Sequence, residues 1–185
     1  MTIQQAMLPD ETMLKEYFNP FIIYRPKDIV SGDFYWFSPG FNGKYFIAVV
    51  DCTGHGVPGA FMSMIGNRLL SEIVNERKIE DPKQVLEFLN DEIRLALRQE
   101  KTDNNDGMDI SFCSFEKQAR IELKMIFSGA KRTAYIINQN SGGLISLKGD
   151  RKSIGGTAEK KEHLKFCNQE LLLEKMTWFT SLPMV

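Results

Sequence analysis

The 185-residue chain contains no apolar run approaching the roughly 18 residues that a membrane-spanning helix needs. Its first residues, Met1 to Glu11, lack the basic-then-apolar layout of a signal peptide. Three cysteines at wide spacing make no disulfide framework, so a reducing cytoplasm is the expected compartment. Neither sign of charge is in excess. Lys and Arg total 23, Asp and Glu total 24, and a net charge of -1 gives no reason to expect nucleic acid or an anionic membrane as the main partner. Internal repeats, low-complexity tracts and long linkers are absent too. The remaining composition, 43% hydrophobic and 25% charged, suits one domain of mixed secondary structure and names no activity.

Period and punctuation divide the chain. Residues 1–16 read either as a frayed terminus or as the end of a linker or helix arriving from an upstream region, with Ile3 and Met7 on one side and Pro9 interrupting. Phe21 to Tyr24 reads as a short strand. Phe34 to Phe37 and Tyr45 to Val50 read as a hairpin turning at Ser38-Pro39-Gly40 and Asn42-Gly43. The second of these strands is apolar throughout and runs into Asp51-Cys52-Thr53-Gly54-His55-Gly56, too glycine-rich for helix. A helix follows with Pro58 in its first turn and Phe61, Ile65, Leu69 and Ile73 as its buried stripe. Asp81-Pro82 starts a second helix, with Val85 or Leu86, Leu89, Ile93 and Leu97 facing the core. Beyond Asn105 the period changes to two, over 110–115 and 121–127, and Ala134 to Ile137 with Leu144 to Leu147 read as another hairpin. Strands, two long helices, then more strands predict an α+β fold with helices packed on antiparallel sheet, not alternating βαβ units.

Two aspartates carry the chemistry. Asp33 precedes a strand in Ser31-Gly32-Asp33-Phe34, and Asp51 ends a buried one. A charged Asp at the end of an apolar run is costly unless paired, and no Lys or Arg nearby in sequence supplies a pair. A hard divalent cation with oxygen ligands would answer this, and an Asp that simply caps the loop is the plainer alternative. Gly54, Gly56 and Gly59 let backbone approach such a site closely. They match neither nucleotide-binding glycine pattern. Cys52 and His55, with His163 and Cys167, make a poor zinc spacing. His55 has no Ser or Cys nucleophile beside it and reads either as a loop hydrogen-bonder or as a general acid. Asp106 and Asp109 read as turn and strand-capping residues.

The runs Arg25-Pro-Lys-Asp-Ile-Val-Ser-Gly-Asp33-Phe-Tyr-Trp36 and Asp51-Cys-Thr-Gly-His-Gly-Val-Pro-Gly-Ala-Phe-Met-Ser-Met64 resemble the SpoIIE/RsbU-type serine phosphatases of the PPM (PP2C-like) superfamily. Asp106-Gly-Met-Asp109-Ile, Phe127-Ser-Gly-Ala-Lys131 and Ser153-Ile-Gly-Gly156 resemble later elements of the same family, and Ile3 to Pro9 resembles the segment joining such domains to an upstream sensor. The resemblance implies a PP2C-like layered α/β/β/α sandwich. It also implies metal ligation by Asp33, Asp51 and the backbone carbonyl of Cys52, with Gly32, Gly54 and Gly56 shaping the loops. Two Mn²⁺ or Mg²⁺ ions would activate a water against phosphoserine without a phosphoenzyme. The implied substrate is a phosphorylated anti-sigma-factor antagonist-type protein, under control of an upstream sensor. A homodimer through the upstream helix fits that arrangement.

The family pattern continues through a T-D-G strand, whose Asp is a ligand, to a final acidic motif. Neither carboxylate has a counterpart here, so the expected domain, residues 17–175, is incomplete and 176–185 is an aberrant tail. Back-translating Lys175 to Val185 with one A inserted after the lysine codon permits N-D-M-V-Y-F-T-T-D-G, the missing strand in register. A single-base deletion is the hypothesis, and the gene sequence beyond codon 185 tests it: a shifted frame that does not continue a phosphatase sinks it. The competing functional expectation is an inactive fragment, poorly soluble, acting at most as an interaction module.

Overall fold

The computed structural model describes residues 3–26, 28–40, 43–118, 122–138, 142–156, 164–174 and 177–181. Two short helices, α1 (Ile3–Met7) and α2 (Glu11–Lys15), lead into a hairpin of β1 (Phe34–Pro39) and β2 (Lys44–Cys52). The long helices are α3 (Gly56–Ser71), continued by a π-helical turn at Glu72–Glu76, and α4 (Pro82–Ala96). Then come β3 (Gly107–Lys117), β4 (Glu122–Ala130), β5 (Thr133–Asn138), β6 (Leu144–Lys148), β7 (Ile154–Gly155), β8 (Gln169–Glu174) and β9 (Thr177–Ser181). One sheet runs β1-β2-β3-β4-β8 with β7 beside β3, and a second runs β6-β5-β9. Every pairing between these strands is antiparallel, as the α+β reading expects.

The period of two in β3 splits the interior into two cores. Met108, Ile110 and Phe112 face one way, into a cluster with Phe46, Val50, Leu70, Leu89 and Ile93 from β2 and the helices. Cys113 and Phe115 face the other way, into a cluster with Met125, Phe127, Ala134, Ile136 and Leu147 that cements the two sheets. Helices, sheet and second sheet form three successive layers of a PP2C-like sandwich. Thr177–Ser181 belongs to the last of them, paired along Ala134 to Asn138.

Two local expectations fail. Phe21 to Tyr24 forms no strand, and Phe21 is 82% exposed: among the described residues no strand pairs with it, and an unpaired apolar tetrapeptide has no ladder to satisfy its backbone. Of the stripe expected on the first long helix, Ile73 is buried and Ile65 and Leu69 pack against the core, but Phe61 is 62% exposed, and within α3 the fully buried positions are Gly59, Met62, Ser63, Gly66 and Leu70. Small residues win that face because the helix lies close against loops and β-strand side chains. At Gly66 a Cβ would already meet the Met108 methyl at 2.9 Å. The second helix behaves as expected, with Val85, Leu86, Leu89 and Ile93 buried. Asp81 stands at its N-cap position but accepts from the Asn168 amide, and Asn168 Oδ1 receives the Lys83 N–H instead.

Candidate functional site

The loops that bear Asp33 and Asp51 lie together because glycines let three backbone segments touch. A Cβ at Gly32 would lie 2.7 Å from the Gly54 carbonyl oxygen and 3.1 Å from that of Cys52. A Cβ at Gly59 would lie 2.5 Å from the same Gly54 oxygen and 3.1 Å from Gly32 Cα. Gly54 and Gly56 take positive φ, +84° and +62°, which turn the chain off β2 into α3. The carbonyls of Cys52 and Gly54 are thus held against the residue preceding Asp33.

The Asp33 loop is clamped from the amino terminus. Gln4, buried in α1, donates to the Ser31 carbonyl and to Ser63 Oγ at 2.7 Å, and its Oε1 accepts from Ser31 N–H at 2.9 Å. Ser31 Oγ in turn accepts from Asp33 N–H at 3.0 Å, and Tyr24 donates to the Asp33 carbonyl at 3.1 Å. Gln4→Ala leaves both backbone groups of Ser31 without partners. It is expected to cost about 1–3 kcal/mol in urea unfolding and to speed amide exchange at Ser31 and Asp33. Unchanged exchange there would show that the clamp holds nothing.

The strand register supplies a third carboxylate. Asp51 lies directly opposite Asp109 across β2 and β3, and the period of two points both away from the helices. Like charges facing each other across a strand pair repel, so the pair needs a cation. Arg132 provides it. Its guanidinium donates to Asp51 Oδ2 and stands 3.9 Å from Asp109 Oδ2, with its side chain only 10% exposed. The expectation that Asp51 lacks a basic partner is therefore corrected: the partner lies 81 residues away in sequence. Asp109 also accepts from Ser153 at 2.6 Å, so it is a member of this cluster and not a strand cap. Asp106 keeps the role of a turn residue, held by Thr53 at 3.0 Å and Asn104 at 2.8 Å.

Electrostatics separates the residues further. Burial raises the Asp33 pKa above the ordinary carboxylate value, against a smaller opposing pull from Arg132. Burial also pushes the Cys52 thiol upward, which suits a Cys52 contribution through its carbonyl and opposes one through thiolate sulfur. His55, at the N-cap position of α3, is 77% exposed and sits 3.4 Å from Asp28. Of the weighed zinc set, His163 lies outside the described residues. The donor chemistry of Asp33, Asp51 and the Cys52 carbonyl fits a hard divalent cation. Among the described residues, however, no three His, Cys, Asp or Glu side chains close on one point, and the positive charge at the carboxylates is a guanidinium.

Comparison with known proteins agrees with this architecture. The family described as Stage II sporulation protein E (SpoIIE) matches residues 42–150. The SiaA-PP2C domain of Pseudomonas aeruginosa is 31% identical with a TM-score of 0.77, over 96% of this chain and 65% of that one. The chain thus spans a little under two thirds of that domain. The PP2C phosphatase domain of SpoIIE from Bacillus subtilis shares the fold at 20% identity and a TM-score of 0.57, over 81% of this chain and 40% of that one. RsbX in complex with magnesium shares it at 15% identity and a TM-score of 0.56, over 83% of this chain and 66% of that one. Among curated proteins none matches. With that motif order, that layered sheet architecture and a family match across 42–150, the chain belongs to the SpoIIE family of PP2C-like phosphatase domains.

Proposed function

We propose that the chain carries the catalytic side of a divalent-metal-dependent protein serine phosphatase. The observation that carries this reading is the contact between the loops bearing Asp33 and Asp51, with the Cys52 and Gly54 carbonyls packed against Gly32, in a SpoIIE-family fold. Asp33, Asp51 and the Cys52 carbonyl would hold Mn²⁺ or Mg²⁺. Bound there, such ions supply an acidified water and neutralise charge on phosphoryl oxygens. Gly32, Gly54 and Gly56 keep the approach open. Family membership supports phosphoserine on an anti-sigma-factor antagonist-type protein as the substrate, a cytoplasmic setting, and a sensor upstream of residues 1–16. Among the described residues no helix is long and apolar enough to cross a membrane.

The test is Mn²⁺-dependent hydrolysis of an aryl phosphate and a phosphoserine peptide by this chain. Hydrolysis that persists in excess chelator would sink the reading. His55 is proposed as proton donor to the leaving group. His55→Gln is then expected to slow the phosphoserine peptide by about 100-fold while sparing the aryl phosphate, whose phenolate leaves unaided. Equal effects on both substrates would remove His55 from that role.

A second reading has its own observation. On this reading, which a guanidinium among the carboxylates and no closed three-ligand group among the described residues support, the chain would be an interaction module that binds a phosphorylated partner without turnover. Partner binding with no Mn²⁺-dependent hydrolysis selects it.

A further inference from the structure

Arg132 has a built position. It follows Lys131, a non-glycine residue at φ +54°, at the turn between β4 and β5. Its carbonyl accepts from Gly149 N–H at 3.0 Å, and Lys131 N–H donates to the Asp150 carbonyl at 2.7 Å. Side chains are excluded around it: a Cβ at Gly129 or Gly149 would fall 2.8 or 2.6 Å from the Arg132 carbonyl oxygen. From this fixed stem the side chain reaches into the site, nine-tenths buried, between two aspartates that the β2–β3 register forces together. Its hold is one-sided, because Nε is buried and has no hydrogen-bond partner among the described residues. A cation fastened at one edge can yield to a better one.

We propose that Arg132 is the resident counter-ion of the Asp51–Asp109 pair, and that a divalent cation binds there only by displacing its guanidinium from Asp51. The charge count favours this exchange. Asp51 and Asp109 present two carboxylates to one guanidinium, so the pair is left under-neutralised and a divalent ion balances it fully. Arg132 therefore sets the metal concentration at which the site fills. It acts on the ligand Asp51 and is a positioning residue. The inference rests on the proposed reading of Asp51 as a metal ligand.

The test is Mn²⁺ binding alone, followed by calorimetry on this chain. Arg132→Met is expected to bind Mn²⁺ about 10- to 100-fold more tightly than wild type, the range corresponding to one lost charged hydrogen bond. Arg132→Lys, which keeps the charge, is expected to stay near wild type. If wild type binds Mn²⁺ and Arg132→Met binds no tighter, the counter-ion role is overturned and the metal reading stands. If neither binds Mn²⁺, both fall. A measurement on the unmutated chain does not depend on how the variants fold: adding Mg²⁺ is expected to shift the Arg132 Nε–Hε resonance. A resonance that stays in place at saturating Mg²⁺ overturns the proposal.

Discussion

Asp33→Asn and Asp51→Asn are expected to shift stability in opposite directions while both weaken Mn²⁺ binding. Asp51 is the hydrogen-bonded partner of a buried guanidinium. Breaking a buried pair by removing one member costs roughly 3–5 kcal/mol. The Asn oxygen still accepts and Asp109 stays 3.9 Å away, so a loss of about 2–3 kcal/mol is expected for Asp51→Asn. Asp33 has the reverse balance. Its folded pKa is raised, chiefly by burial, so its ionisation opposes folding. Any favourable contribution is present only below the unfolded value, about 3.9, and is lost as pH rises through the raised folded value. Asp33→Asn should therefore melt above wild type at pH 7 without metal, and the difference should vanish in acid. Both variants should lose at least the roughly 10- to 100-fold in Mn²⁺ affinity that even outer-sphere changes produce. Thermal melts at pH 7 and pH 3.5, with and without Mn²⁺, decide the matter. A destabilised Asp33→Asn at pH 7 would mean that its charge is well satisfied, and the account of the cluster would fail.

Gly59→Ala is expected to lower the melting temperature by about 4–8 °C and to weaken Mn²⁺ binding with it. In an ordinary helix this change would stabilise by up to about 1 kcal/mol through propensity. Here the new methyl would lie 2.5 Å from Gly54 O and 3.0 Å from Gly54 C. Backbone at that range cannot rotate aside, and overpacking costs about 1–3 kcal/mol or more. Against unyielding backbone the cost falls at the upper end of that range, so the clash outweighs propensity by about 2 kcal/mol net. Any relief must move Gly54 away from Gly32, and so disturbs the loops that bear Asp33 and Asp51. Gly66→Ala, on the same helix face, is the control. Its Cβ would meet the flexible end of Met108 at 2.9 Å and the Phe34 ring at 3.1 Å, so a much smaller loss is expected. Equal losses at the two positions would show that packing of α3 in general, and not the glycine contact, sets the geometry.

Much of the architecture was legible in the residues because it depends on local rules. Alternation along β3 and β4, the turn residues between β1 and β2, and Asp81-Pro82 at the start of α4 each act within a few positions. The motifs around Asp33 and Asp51 were long enough to resemble a family, and they identified both aspartates and the glycines between their loops. Other features needed the folded chain. Phe61 lies outside the core although Ile65, Leu69 and Ile73 of its stripe reach it, because a large apolar residue signals a core only where room exists, and the neighbouring backbone leaves room for glycine and serine. Phe21 to Tyr24 had strand-forming residues but no neighbour to pair with. No Lys or Arg lies near Asp51 along the chain, and its cation, Arg132, arrives through the β4–β5 turn. Asp109 joined the site through register alone, since pairing with Asp51 is a property of two strands and not of either sequence. The sequence by itself determined which side chains can carry charge and which segments become strand or helix. Only the tertiary structure decided which charges face one another, because burial and cross-strand distance, not sequence separation, set the strength of an electrostatic interaction.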